Sequence, residues 1–333
     1  MKKFKSVLAV VLVLVLIFTF AACSNGSGSS QGDSNATSSN NNDSKKDAKG
    51  TGDILPVFDK SGTIEETHMA DVFDVSITAT GLTYTNSSAE LSLKLENKSD
   101  AKRKVLSGTT GYGCTSVNGY MVHGGYMSCE LDPGASAEDK VSFSYTELYL
   151  LGINKIADIG IGFSVSDDDH NDTQSEMSFV KTQHTDSYNY NEDTFIKTMK
   201  GNSLQNAYGF TINAVSEGSS FSEGNVSILS QTIVTNKDGK SSLMIEFENK
   251  SNQGLYVGLS NLKLNGTAVK DSYVASDLVW SNKKAVISAS LSDYFEENES
   301  LSAESVKNVA FDVKLTNLDG MMLTQGSTAA LNF

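Results

Sequence analysis

Apolar and polar residues alternate singly over much of this chain. Leu91, Leu93 and Leu95 fall on one side of an extended backbone, with Ser92 and Lys94 on the other; Leu243, Ile245 and Phe247 repeat the arrangement. Val141 and Phe143 alternate with serines. So do Ile159, Ile161, Phe163 and Val165, and later Val309, Phe311, Val313 and Leu315. Period two over five to seven residues marks a strand with one buried face. Asn97–Asp100 and Asn249–Asn252 suit turns, because Asn and Asp side chains bond to nearby backbone. Asn118-Gly119 and Asn265-Gly266 are hairpin signals, since both positions of a tight turn need positive φ. Helical pattern is confined to single turns: Thr146 to Leu151, stopped by Gly152, and weaker equivalents at Ser292–Asn298 and Ser302–Val306. Many short strands separated by turns predict an all-β chain of antiparallel β-sandwiches rather than a βαβ fold.

The pattern occurs twice. Asp74-Val75-Ser76-Ile77 matches Asn225-Val226-Ser227-Ile228, and Ala89–Ser99 matches Ser241–Ser251, both ending in Glu-Asn-Lys-Ser. Val117-Asn118-Gly119 matches Leu264-Asn265-Gly266, and Ile156–Val165 matches Val306–Leu315. Landmarks in constant order at nearly constant spacing predict a duplicated domain, each copy large enough to hold its own core. The expected division is a first β-sandwich over 54–184, a linker over 185–202 and a second β-sandwich over 203–333. Each copy would carry one short helical turn.

Ahead of the repeat, Lys2, Lys3 and Lys5 precede an apolar run from Val7 to Phe20, followed by Ala21-Ala22-Cys23. A basic start, an apolar middle and small residues before a break form a secretory signal. Cys23 after two alanines resembles a bacterial lipobox, with Phe20 where Leu is more usual. That resemblance implies a signal peptide over 1–22 and a diacylglycerol on Cys23; an ordinary signal peptide or an uncleaved anchor is the alternative. Two acyl chains suffice for stable anchoring. Residues 24–53 hold no large apolar side chain before the end of the stretch and read as a flexible tether, together with Cys23 the segment 23–53. The expected location is extracytoplasmic and lipid-anchored to the cell membrane.

Composition sharpens this picture. The 333 residues carry 26 basic and 40 acidic side chains, a net charge of −14, and Arg103 is the single Arg. Such a chain is a poor partner for nucleic acid, which needs a basic surface. Removing residues 1–22 takes three lysines and no acid, so the mature chain would carry 23 basic against 40 acidic residues, or −17.

Several landmarks together resemble an uncharacterised family of β-sandwich domains found in Firmicutes surface lipoproteins and membrane-anchored envelope proteins. In the first copy these are Glu96–Ser99, Asn118-Gly119-Tyr120, Pro133-Gly134-Ala135-Ser136-Ala137, Gly152-Ile153 and Asp158-Ile159. The second copy keeps Glu248–Ser251 and Asn265-Gly266 but lacks the Pro-Gly and Gly-Ile elements. The resemblance covers most of 70–170 and, more loosely, 220–320. It implies an Ig-like extracytoplasmic fold in a Gram-positive setting, with no assigned catalytic role and no functional residue to carry over.

Candidate chemistry is sparse. Cys114 and Cys129 flank the Asn118-Gly119 turn, and outside the membrane they can bridge or stay as separate thiols. Asp167, Asp168, Asp169 and Asp172 form an acidic cluster that weakly suggests Ca²⁺, yet it lacks the Gly and the twelfth-position Glu of an EF-hand. The alternative is a solvated turn. No His pair has zinc spacing and no nucleophile motif is present, so no cofactor and no enzyme activity are expected. Tyr120, His123 and Tyr126 lie in a Gly-rich aromatic segment that could contact a sugar or a protein if exposed, or pack inward. The expected function is a non-enzymatic surface lipoprotein that engages an envelope protein or has a structural role. The alternative is a carbohydrate or small-ligand binding module.

Overall fold

The structure, a computed structural model, describes residues 55–108, 114–218, 221–269, 276–297 and 301–333. The sequence features assigned to residues 1–53, Cys23 among them, lie outside these. The described residues form one compact unit. Among the described residues no helix is long and apolar enough to cross a membrane.

The alternating segments are strands. The first half contains β1 (Thr67–Val72), β2 (Val75–Tyr84), β3 (Ser88–Asn97), β4 (Arg103–Ser107), β5 (Thr115–Val117), β6 (Tyr120–Val122), β7 (Met127–Leu131) and β8 (Ser136–Ser144). It continues through helix α1 (Tyr145–Leu150), β9 (Asp158–Ile161), β10 (Phe163–Ser166), β11 (Asp172–Gln174) and β12 (Ser178–Lys181). Two further helices, α2 (Thr194–Lys200) and α3 (Ser203–Tyr208), lead into the second half. There the strands are β13 (Thr211–Glu217), β14 (Ser222–Glu223), β15 (Val226–Thr235), β16 (Ser241–Asn249), β17 (Leu255–Leu264) and β18 (Thr267–Ala268). They are followed by β19 (Ser276–Val279), β20 (Lys283–Ser290), α4 (Ser292–Glu297), β21 (Asn308–Asn317) and β22 (Met322–Asn332).

Among the described residues these strands make four sheets. Sheet order β1-β2-β3-β8 in the first half recurs as β13-β15-β16-β20 in the second. Opposite them lie β11-β10-β4-β7 and β12-β9-β5-β6 in the first half, and a sheet of β17, β21 and β22 with β18 and β19 in the second. The inward residues of β2, β3 and β8 (Ile77, Leu93, Phe143) join those of β4, β9 and β10 (Val105, Ile161, Phe163) in one apolar cluster. Those of β15 and β16 (Ile228, Ile245, Phe247) join Val257, Phe311 and Val313 in a second. Each fully buried Leu, Ile or Phe contributes roughly 1.5–3 kcal/mol.

The repeated Asn residues have repeated jobs. Asn97 Nδ2 donates to the carbonyls of Ala101 (2.8 Å) and Asp132 (3.0 Å), while its Oδ1 accepts from Ser99 N (3.0 Å). Asn249 Nδ2 donates to Gln253 (2.9 Å) and Val279 (2.8 Å), and its Oδ1 accepts from Ser251 N (2.9 Å). Asn118 Nδ2 donates to Lys155 O (2.7 Å), and its Oδ1 accepts from Ala157 N (2.7 Å). Asn265 does the same with Ser305 O (3.0 Å) and Lys307 N (2.8 Å). Asn118 and Asn265 also take positive φ, as their turns require.

Residues 185–202 carry α2 and buried apolar side chains. Phe195 and Met199 of α2 are buried in the first apolar cluster, together with Leu204 of α3 and Phe210. They are joined by Val234 of β15 and by the partly buried Ile212, Met244 and Val286. The β13-β15-β16-β20 sheet is therefore covered on both faces: β17 and β21 lie on one side and α2 on the other. Backbone N of Lys284 in β20 donates to Gly119 O (2.9 Å), and Lys284 pairs in parallel with Tyr120, so this sheet runs on into the first half. Strand period alone has no way to show that second burial.

Replacing Asn249 by Ala takes the side-chain partner from the buried Val279 carbonyl and Ser251 amide and leaves the Gln253 carbonyl with Ser251 Oγ alone. Thermal unfolding should show a loss of about 2–4 kcal/mol, as for other buried groups left without partners.

Candidate functional site

Tyr120 follows the Asn118-Gly119 turn and points into the junction between the halves. It is 2% exposed. Its hydroxyl donates to Glu246 Oε1 (2.7 Å), and Ser230 Oγ donates to Glu246 Oε2 (2.6 Å). Glu246 sits on the outer face of β16 because it alternates with the inward Ile245 and Phe247, and a bulge in β15 between Ile228 and Ser230 turns its register partner Ser230 to the same face. Burial raises the Glu246 pKa, and the two hydroxyl donors oppose that rise. Burial, with the neighbouring Glu246, likewise pushes the Tyr120 hydroxyl up. Lys284 Nζ lies 5.5 Å from the centre of the Tyr120 ring and pairs with Asp193 Oδ1 at 2.7 Å.

His123 stands at the rim of the same junction, half exposed. Its Nε2 is 3.4 Å from Asp277 Oδ2 in β19, and its Nδ1 is 3.3 Å from Glu147 Oε1 in α1. Glu147 also accepts the backbone N–H groups of His123 (2.6 Å) and Gly124 (3.2 Å). Hydrogen bonds to Asp277, then to Glu147, push the His123 pKa up to about 10, so the imidazolium donates to a carboxylate from each half. Tyr126 is 66% exposed. The three expected ligand contacts are therefore not one platform: Tyr120 is a junction residue, His123 a bridge, and only Tyr126 offers an open ring.

Cys114 and Cys129 make no disulfide; Cys129 keeps its thiol. Cys129 lies on β7 opposite Val105, whereas Cys114 leads into β5 in a different sheet, its carbonyl accepting from Gly162 N (3.0 Å). The acidic cluster forms a closed turn. Asn171 N and Nδ2 both donate to the Asp167 carboxylate (2.9 Å each), which holds that carboxyl below its ordinary range. Asp168, Asp169 and Asp172 do not converge with it, and among the described residues no group of three or more His, Cys, Asp or Glu side chains is placed to hold a metal ion.

A polar cleft of about 310 Å³ opens between the Gly152–Lys155 loop and the Ser187–Thr198 segment, with Tyr188, Lys155, Asn154, Asn189 and Thr198 among its walls. Glu192 at its edge is paired with Lys197. Elsewhere, the hairpin joining β21 to β22 exposes four large apolar side chains: Leu318 (47%), Met321 (61%), Met322 (43%) and Leu323 (46%). Glu246, Lys284, Asp193 and Asp277 escaped sequence reading because each is a single charge on a strand or turn, where a solvated position is the ordinary expectation.

No family model matches the chain, and no curated protein matches it. Among solved structures it is similar to the YadV chaperone, at 12% identity over 78% of this chain and 100% of that one, with a TM-score of 0.22. It is also similar to a protein of unknown function from Porphyromonas gingivalis W83 (9% identity, 78% of this chain and 97% of that one, TM-score 0.21). A third likeness is to a 1.5-MDa bacterial ice-binding adhesin (12% identity, 74% and 56%, TM-score 0.18). At these TM-scores the likenesses do not bear on function.

Two pH dependences follow from the junction. A His whose folded pKa lies near 10 stabilises the fold fully below its ordinary 6.5, and that contribution drains away as pH climbs toward 10. Unfolding curves should thus show the gap between wild type and His123→Gln narrowing across that window. Glu246 has the opposite consequence at neutral pH, because a raised carboxyl pKa favours folding only while the proton is bound. Glu246→Gln keeps an acceptor for Tyr120, and should match wild type in acid and exceed its stability above neutrality.

Proposed function

We propose that this chain is a non-enzymatic cell-surface lipoprotein, held on the membrane by diacylglycerol on Cys23, that displays two tandem Ig-like β-sandwich domains for protein–protein interaction. The facing sheets that share an apolar cluster in each half support the sandwich reading. The observation that carries the interaction reading is the apolar hairpin tip at Leu318, Met321, Met322 and Leu323. Scattered exposed apolar residues are ordinary, whereas several gathered at one tip mark a contact surface. Methionines suit such a surface, because their unbranched side chains adapt to a partner. The Tyr120–Glu246 junction would hold the halves as one presenting body.

Replacing the four tip residues by Ser should change thermal stability by no more than about 0.5 kcal/mol for each substitution, as for exposed positions. On intact cells, a photo-reactive group at Asp319 should cross-link envelope protein with the native tip and lose those products with the Ser tip. Retained products would remove the tip from the interaction.

The alternative reading, a carbohydrate or small-ligand module, is favoured by the polar cleft with its Tyr188 wall. Its volume is near the lower end for ligand sites. Under that reading, a panel of neutral and acidic monosaccharides should raise the melting temperature of wild type and not of a Lys155→Ala, Tyr188→Ala protein; no shift with any sugar counts against it.

A further inference from the structure

We infer that β22 is a pairing edge, and that two copies of this chain associate by antiparallel addition of β22 to β22 across a two-fold axis. This rests on reading that end of the molecule as an interaction surface. It names the partner as a second copy.

The edge is open in the right places. Among the described residues β22 pairs with β21 alone. Phe333 N donates to Lys307 O, and Asn308 stands opposite Asn332, so residues 333, 331, 329 and 327 turn their backbone groups toward β21. The alternation of an antiparallel ladder then points the N–H and C=O groups of Thr328, Ala330 and Asn332 away from it. The register shifts of the β21–β22 pair are confined to the end near the turn, which leaves Ser327–Asn332 regular.

Edge strands are normally blunted by charge, proline, breaks or cover. From Met321 to Phe333 there is no charged side chain and no Pro. The corresponding edge of the first half has the usual protection. Its strand is split into β11 and β12 by a break at 175–177, and the segment carries Asp172, Glu176 and Lys181. The same contrast holds at the turns before these strands. Asp167 N bonds to Asn171 O, His170 N to Asp167 O and Asn171 N to the Asp167 carboxylate; Asn317, Gly320 and Met321 repeat all three contacts. One backbone turn thus carries an acidic tip in the first half and an apolar tip in the second.

A second copy is the occupant that fits this edge. Every strand is complementary to itself in antiparallel register about a two-fold axis, so Thr328, Ala330 and Asn332 would face Asn332, Ala330 and Thr328 of the other copy. A chain of net charge −14 repels its own kind, and a charge-free strand is where two copies can approach. Pairing would bring the Met322 and Leu323 end of one chain beside the C-terminal end of the other, covering apolar side chains that otherwise face water.

Sedimentation velocity on residues 51–333, which include the compact unit, should show a concentration-dependent dimer in the micromolar range. Ala330→Pro removes an outward N–H without touching the β21 ladder, and should weaken the dimer roughly tenfold or more at unchanged melting temperature. If that variant does not fold, Thr328→Pro tests the same edge from the next outward position. A wild-type protein that stays monomeric at high micromolar concentration, or a folded proline variant that dimerises as well as wild type, overturns the proposal. A monomer whose cell-surface cross-links still depend on the tip overturns the edge pairing and leaves the interaction reading standing. Loss of both results ends both.

Discussion

Buried asparagines organise this fold. A strand that ends inside a β-rich body leaves backbone groups that water no longer reaches, and each must find a partner. Asn97 and Asn249 meet that demand where β3 and β16 end, each tying its own turn to the carbonyls of a strand from the facing sheet. Asn118 does so at the opposite hairpin, satisfying the backbone just before β9, and Asn265 repeats those contacts before β21 at an exposed turn. An amide side chain suits all four places because it donates and accepts at once. Its short reach also pins the two turns at fixed separation. The apolar clusters supply most of the driving force, but they are not directional; the amides select how the sheets meet.

The junction between the halves follows different physics. A sheet buried on one face ordinarily shows water its other face. Here α2 and Tyr120 cover that face in the second half, and a carboxylate lies beneath them. Removing Glu246 from water is costly, and two hydroxyls rather than a close cation compensate. Lys284 engages Asp193 and the Tyr120 ring instead. At the rim His123 adds a cation between Glu147 and Asp277, one carboxylate from each half. The result is polar matching at the centre and charge matching at the edge, which fixes the relation of the halves more narrowly than apolar contact would.

The recurring sheet order lets the two halves be compared. The asparagine contacts and the turn before the last strand are kept in both halves, hydrogen bond for hydrogen bond. What the backbone leaves free differs: acidic against apolar at the turn tip, broken and charged against long and uncharged at the edge. Tyr120 has Thr267 as its counterpart, so the junction belongs to one side of each half and is not a second use of a shared contact.

Much of the fold was legible in the sequence. Leu91–Leu95 and Val309–Leu315 declared their strands because alternation is a local property: one backbone geometry puts every second side chain on the same face. The Glu-Asn-Lys-Ser and Asn-Gly repeats marked the turns for the same reason, although the roles of their amides needed the partners in view. The site was much less legible. Tyr120 and His123 stood out by residue type, yet their partners Glu246, Asp277 and Lys284 look like ordinary solvated charges on their own strands. Phe195 and Met199 looked like stray apolar residues in a polar stretch. Sequence by itself therefore determined the strands and the turns, each encoded within a few consecutive residues. Tertiary structure decided which face is buried twice, which charges meet and which edge stays open, because those depend on residues tens to more than a hundred positions apart that share space only after the chain has folded.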